Sequence, residues 1–160
     1  MLLICFTLGD ERFAMDTSQV QELIPVVRMK TIPGAPEWVA GVMRYQGKTV
    51  PVVDLCALHL EKTAAKKLST RIIVARFMSH HQEEHLLGLL AEQVTETIYR
   101  QPEDFVSTGV DTPEFPHLGG VADDQEGMLQ WVEIDKLLPE HVQNLLYQDD
   151  PAQDQQVSKS

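Results

Sequence analysis

Five side chains able to hold a metal fall within six residues, "HHQEEH" from His80 to His85. Zinc needs three or four ligands converging tetrahedrally from a rigid frame. This group instead lies between two apolar runs, Ile72–Met78 and Leu86–Ile98, where a solvated hairpin tip is expected. The helical His-Glu-x-x-His spacing is also missing. The loop therefore reads as a polar bend. A metal-dependent enzyme using it is kept as an alternative, which stoichiometric bound zinc would reveal. Asp123, Asp124 and Glu126 lack the ligand alternation and the closing Glu of a calcium loop, and read as turn residues. Asp54 follows "VPVV" and is expected to cap the helical turn after it. Gly119 and Gly120 are followed by no phosphate-binding spacing, and no Ser sits on a nucleophile elbow. Cys5 and Cys56 are far apart among apolar neighbours, where a free thiol behaves as a small hydrophobe. No catalytic residue, metal or cofactor is expected. That pattern suits a binding module.

The elements that carry these residues are mostly short strands. Leu2–Leu8 and Arg12–Met15 read as strands around a turn at Gly9–Glu11. "DTSQVQELI" fits a helical turn capped by Asp16, with Val20, Leu23 and Ile24 on one face. "PVVRMKTI" reads as a strand opening at Pro25. "PGAPEW" reads as a loop leading into a short helix through Trp38 and Val39. "GVMRYQGKTVPVVDL" is a hairpin with a Gly at its bend. Alternation places Met43, Tyr45, Val50 and Val52 inside, and Arg44, Gln46, Thr49 and Pro51 outside. A single helical turn follows at Asp54, and Ile72–Met78 is a central strand covered on both sides. One or two strands occupy Leu86–Ile98, and a loop-rich stretch follows from Gln101 to Gly120. A second hairpin turns near Asp124–Gly127, and an amphipathic helix follows Pro139. Many short strands with little helix imply small barrels or a sandwich, because closure removes exposed edges.

The chain has 160 residues and a formal net charge of −11. That length suits one domain, or two small ones sharing a core. The acidity argues against nucleic acid and against anionic membrane surfaces, both of which select clustered cations. No segment is long enough to span a bilayer, and "MLLICFTLGDERF" lacks a basic leader and a cleavage site. A soluble, cytoplasmic protein is expected. The stretch "QDDPAQDQQVSKS" from Gln148 is polar and free of aromatics, and disorder is expected there, with residues 149–160 as a tail.

Six stretches occur in order with suitable gaps: "FTLGDERFAMD", "VQELIPV", "PEWVAGV", "GKTVPVVDL", "GLLAEQVTET" and "GVADDQEGMLQWVEIDKLL". Together they resemble the CheW family of chemotaxis coupling proteins over nearly the whole chain except the tail. The resemblance implies a mainly β fold of two packed SH3-like five-stranded β-barrels, with short helical turns and the C-terminal helix. It divides residues 1–148 into a first barrel over about 14–66 and a second made of 1–13 with 67–148. It implies no catalysis. The expected partners are the cytoplasmic tip of a chemoreceptor and the regulatory domain of a CheA-like histidine kinase, in signalling arrays at the inner face of the membrane. A kinase-docking module that binds no receptor is the alternative within the same class.

The resemblance also marks partner-binding positions. Val20, Glu22, Gly41 and Gln46 match coupling positions of the family. Where the family usually has Asn-Leu-Arg-Gly at the bend, this chain has Arg44-Tyr45-Gln46-Gly47, so the cation stands two residues earlier. Residues two apart on a strand share a face, which moves the charge along the surface. Thr97 stands where the family commonly has Val, and Glu92 where it has Asp. These departures suggest a divergent paralogue with its own partner. Simpler roles stand beside these: Val20 and Leu23 as core, Gly41 as a site of close backbone approach, and Trp38 as half-buried packing.

Overall fold

The computed structural model describes residues 1–60, 64, 68–109 and 113–147. Among the described residues ten strands run in chain order: β1 (Leu2–Leu8), β2 (Glu11–Asp16), β3 (Val20–Pro25), β4 (Val39–Tyr45), β5 (Lys48–Asp54), β6 (Arg71–Met78), β7 (Glu84–Ala91), β8 (Gln93–Tyr99), β9 (Leu118–Asp124) and β10 (Gly127–Val132). Helix, among the described residues, is confined to α1 (Leu55–Leu60), α2 (Glu140–Leu146) and three short 3-10 turns. The tail expected to be disordered lies outside the described residues.

The strands form two five-stranded sheets, ordered β8-β1-β2-β10-β9 and β3-β6-β7-β5-β4. The two sheets share one plan. Each has a terminal hairpin (β9–β10, β4–β5), a parallel pair (β10 with β2, β5 with β7) and an antiparallel hairpin beyond it. Strands β3–β7 make one contiguous barrel. The other is split, because the N-terminal hairpin β1–β2 completes a sheet begun by β8–β10. This corrects the expected division: residues 71–91 belong with residues 20–54, not with the C-terminal strands. The pairing partners lie far apart in sequence, so local pattern does not assign them.

A backbone bridge closes each sheet. The chain beyond β3 exchanges two hydrogen bonds between Lys30 and Val42, of 2.9 and 2.8 Å; the chain beyond β8 does the same between Val106 and Val121, both at 2.9 Å. Each bridge passes over a glycine at the equivalent place. A Cβ on Gly41, whose φ is +148°, would collide with the Lys30 carbonyl oxygen. One on Gly120 would sit 2.9 Å from the Val106 carbonyl oxygen. The preceding turns match too: Asp54 N–H donates to the Trp38 carbonyl at 2.8 Å, and Glu133 N–H to that of His117 at 2.7 Å.

Alternation along β1 and β2 sets the packing. Ile4, Phe6, Leu8, Phe13 and Met15 join the main core together with the contiguous barrel. Leu3, Cys5 and Ala14 face the other way and form a small separate core with Leu129. The split barrel is thus lined by a minor core, while its outer face shares the major one. Neither cysteine forms a disulfide and both are buried, and burial pushes the Cys5 thiol up to about 11, which makes it a poor nucleophile.

Four local expectations are corrected. Asp16 caps only a 3-10 turn at Thr17–Gln19, accepting from Ser18 N–H at 2.9 Å, and Val20–Pro25 is a strand. Period two replaces the helical face there, so Leu23 is left 41% exposed while Val20 and Ile24 pack on the core. Pro25 ends this strand rather than opening one, and Trp38 lies in a turn rather than a helix. Pro51 is buried, because β5 lies between β4 and β7 and its residues 50–54 are covered on both faces.

The bridge yields a test. Gly41→Ala should lower unfolding free energy by about 3 kcal/mol, from left-handed strain and overpacking against backbone together. Gly47→Ala, with φ +77° but open space around it, should cost about 1 kcal/mol. Urea titration of the two variants checks the ordering.

Candidate protein-binding surface

The β4–β5 ladder ends at the pair Tyr45–Lys48, leaving Gln46 and Gly47 as a two-residue turn. Both have positive φ, +48° and +77°, the primed geometry that matches strand twist. Arg44, Gln46, Lys48 and Thr49 are all exposed, and Arg44 Nη1 donates to Thr49 Oγ1 across the strands at 3.4 Å. Gln46 lies beyond the ladder, so strand alternation does not carry over from Arg44 to it.

Tyr45 is buried by its ring and polar at its tip. Its hydroxyl donates to Glu22 Oε1 at 2.5 Å and accepts from Gln21 Nε2 at 3.3 Å. The Glu22 carboxylate raises the Tyr45 pKa, so the phenol stays protonated and keeps donating. Strands β3 and β4 occupy opposite edges of the sheet, and this contact ties them together on the surface. Beside it, Gln21, Gln46 and Lys48 border a groove of ≈430 Å³, whose far wall includes Leu86, Leu146 and Tyr147. Helix α2 is docked there by Tyr147, whose hydroxyl donates to the Leu86 carbonyl at 2.7 Å.

The structure therefore gathers Glu22, Arg44 and Gln46 around one end of the contiguous barrel. Gly41 lies on the same strand but serves the closing bridge. Val20 is half-buried against the core. Thr97 is elsewhere: it is exposed on β8, paired with Ile4 in the split barrel. Sequence reasoning missed Tyr45 and Gln21, because it placed Tyr45 inside without asking where its hydroxyl goes.

The chemical candidates serve the fold. His80 donates to Gln143 Oε1 twice, from Nδ1 at 2.7 Å and from its backbone N–H at 2.9 Å. His85 stacks on Tyr147 with ring centroids 4.4 Å apart. Among the described residues, no three His, Cys, Asp or Glu side chains are grouped to hold a metal. Asp54 caps α1 through Ala57 N–H at 3.1 Å and also accepts from Ala64 N–H at 2.9 Å. Asp124 receives both Arg12 guanidinium nitrogens, at 2.7 and 3.0 Å, which holds its carboxyl below the usual range. Arg12 has the inward parity of Ala14, and an inward charge of this kind signals an ion pair.

One pair was not foreseen. His59 on α1 and His117 before β9 meet Nε2 to Nε2 at 3.1 Å, flanked by the Phe13 and Phe115 rings. A contact of that length requires one ring to donate and the other to accept, so the accepting ring is neutral, and burial in this apolar setting disfavours a charge on either. Burial pushes His59 down to about 4 and His117 to about 3, the nearness of His59 adding to the latter.

A twin-barrel module with a polar surface at the hairpin end of one barrel is what this geometry defines. The chain belongs to the CheW-like domain family, whose model matches residues 2–142. It is similar to the chemotaxis protein CheW of Rhizobium meliloti, 29% identical over 139 residues that cover 86% of each chain. It also resembles that of Klebsiella aerogenes, 27% identical over 141 residues, 84% of this chain and 80% of the relative. Among solved structures, the crystal structure of scaffolding protein TtCheW from Thermoanaerobacter tengcongensis shares the fold. The TM-score is 0.72 at 23% identity, over 83% of this chain and 84% of that one. Among the described residues, no helix is long and apolar enough to cross a membrane.

The histidine pair predicts a pH dependence. Both folded pKa values lie below the unfolded value near 6.5, so the unfolded chain binds more protons in between. Their contribution is complete above about pH 6.5 and is lost as pH falls toward 4, at up to about 1.4 kcal/mol per pH unit per histidine. Urea titrations across this range should show that slope, and His59→Gln with His117→Gln should flatten it.

Proposed function

We propose that this chain is a non-catalytic cytoplasmic adaptor that couples the cytoplasmic tip of a chemoreceptor to the regulatory domain of a CheA-type histidine kinase. The observation that carries the reading is the family match over residues 2–142, on a fold of two closed barrels. The named relatives are chemotaxis proteins and the similar solved structure is a scaffolding protein, which supports a coupling role rather than a reaction. In this role the chain reaches the inner face of the membrane only through its partners. Weak individual contacts suffice in an array, because repeated sites raise the effective concentration.

On this reading the Glu22–Tyr45 edge and the Arg44–Lys48 hairpin form one partner contact. Arg44 carries the cation that pairs with a partner carboxylate, and an Arg does this with a geometry that Gln lacks. The Glu22 carboxylate accepts from Tyr45 through one oxygen, so this surface offers the cations Arg44 and Lys48 and two amides beside one oriented carboxylate. Thr97 belongs to a second contact on the split barrel.

Titration of the full chain with a labelled kinase regulatory domain, and separately with a receptor cytoplasmic fragment, tests the proposal. Binding to both is expected. Arg44→Ala should weaken one of the two by about tenfold, or about 1.4 kcal/mol, and Gln46→Arg should change the same affinity. Binding to the kinase alone would favour a docking module without a receptor. Binding to neither would contradict the adaptor reading, and full binding by both variants would remove the hairpin from the contact.

A further inference from the structure

Charge is unevenly shared between the barrels. Residues 1–19 and 92–147, which contain the split barrel, hold 15 Asp and Glu against three Lys and Arg. Residues 20–91, which contain the contiguous barrel, hold six against nine. The three cations of the acidic part are all engaged. Arg12 is bound bidentately by Asp124, Arg100 lies 3.6 Å from the same carboxylate, and Lys136 is 3.0 Å from Glu133. The split barrel therefore presents carboxylates with no cation to spare.

At its acidic end, between β2 and the β9–β10 hairpin, lies a groove of ≈280 Å³. Val121, Met128 and the nearly buried Phe13 supply its apolar part, Asp10, Glu11 and Glu126 stand around it, and Arg12 and Gln130 also line it, with Arg12 Nη2 3.5 Å from Glu126. Met128 is 70% exposed, a large apolar side chain presented to solvent beside three carboxylates. Glu126 also borders a second, wider groove that Glu96, Asp104 and Asp123 make acidic. The first groove is below the roughly 300–1,000 Å³ of small-molecule sites and suits one anchoring side chain. Apolar floor and anionic rim together select a ligand that is apolar on one side and cationic around it.

We propose that this groove is a docking site for a cationic amphipathic segment of another protein. A Leu or Met of that segment seats on Val121 and Met128, with Lys or Arg meeting Asp10 and Glu11. The surface lies on the other barrel from the hairpin contact and does not rest on the adaptor reading. Potential from the whole acidic barrel speeds the encounter, and the apolar seat sets the register.

Fluorescence anisotropy of the full chain with a labelled helical peptide of leucine and lysine tests this, beside a lysine-only peptide of equal charge. Saturable binding of the amphipathic peptide is expected, weakened about tenfold by Met128→Ser and by Asp10→Asn with Glu11→Gln. All three positions are exposed, so the variants should fold. Glu103→Gln with Glu114→Gln removes the same charge elsewhere and should change affinity less than about twofold. No binding, equal affinity for the lysine-only peptide, or equal loss in the Glu103/Glu114 pair would overturn the proposal. So would self-association of the chain, seen by sedimentation and abolished by Met128→Ser, because a second copy would then be the occupant.

Discussion

Two short backbone bridges decide whether this chain is a pair of barrels or a pair of open sheets. Without the Lys30–Val42 and Val106–Val121 exchanges, β3 and β4, and likewise β8 and β9, would be free edges. Free edges invite pairing with other chains. The bridges need the incoming chain to lie almost on the backbone of β4 and β9, and Gly41 and Gly120 supply that space. One steric requirement, met twice at equivalent places, underlies the duplicated architecture.

What closure does for function is local. Bringing β3 round to β4 sets Glu22 against Tyr45, and the same hairpin holds Gln46 and Gly47 in left-handed geometry at its tip. The exposed surface there is polar and pre-ordered, which lowers the entropy lost when a partner binds. The second barrel completes itself with the N-terminal hairpin, so chain ends and middle are tied into one unit. The shared core, α2 docked through Gln143 and Tyr147, and the neutral His59–His117 contact all join parts distant in sequence.

Much of this was legible in the residues. The 41–55 hairpin announces itself by alternation, and Met43, Tyr45, Val50 and Val52 are buried as that pattern requires. The Asp54 cap, the loop at His80 and the helix after Pro139 follow from local chemistry in the same way. Local pattern failed where two periods fit one stretch. Val20, Leu23 and Ile24 satisfy a helical face, yet β6 offers a backbone ladder and the stretch becomes β3. It failed again at Pro51, where burial on both faces hides the period of two. The grouping of strands was not readable, since β10 pairs with β2 from the opposite end of the chain. At the surface, the exposure of Arg44 and Gln46 was foreseen. The Tyr45–Glu22 contact was not, because it depends on closure.

Amide hydrogen exchange at Lys30, Val42, Val106 and Val121, followed by NMR on the intact chain, tests closure most directly. These four N–H groups should exchange only through global unfolding, with protection matching that of the central strand β6. Exchange at the rate of exposed loops, with β6 still protected, would mean that the sheets stand open and that the surface built on their closure is not held as described.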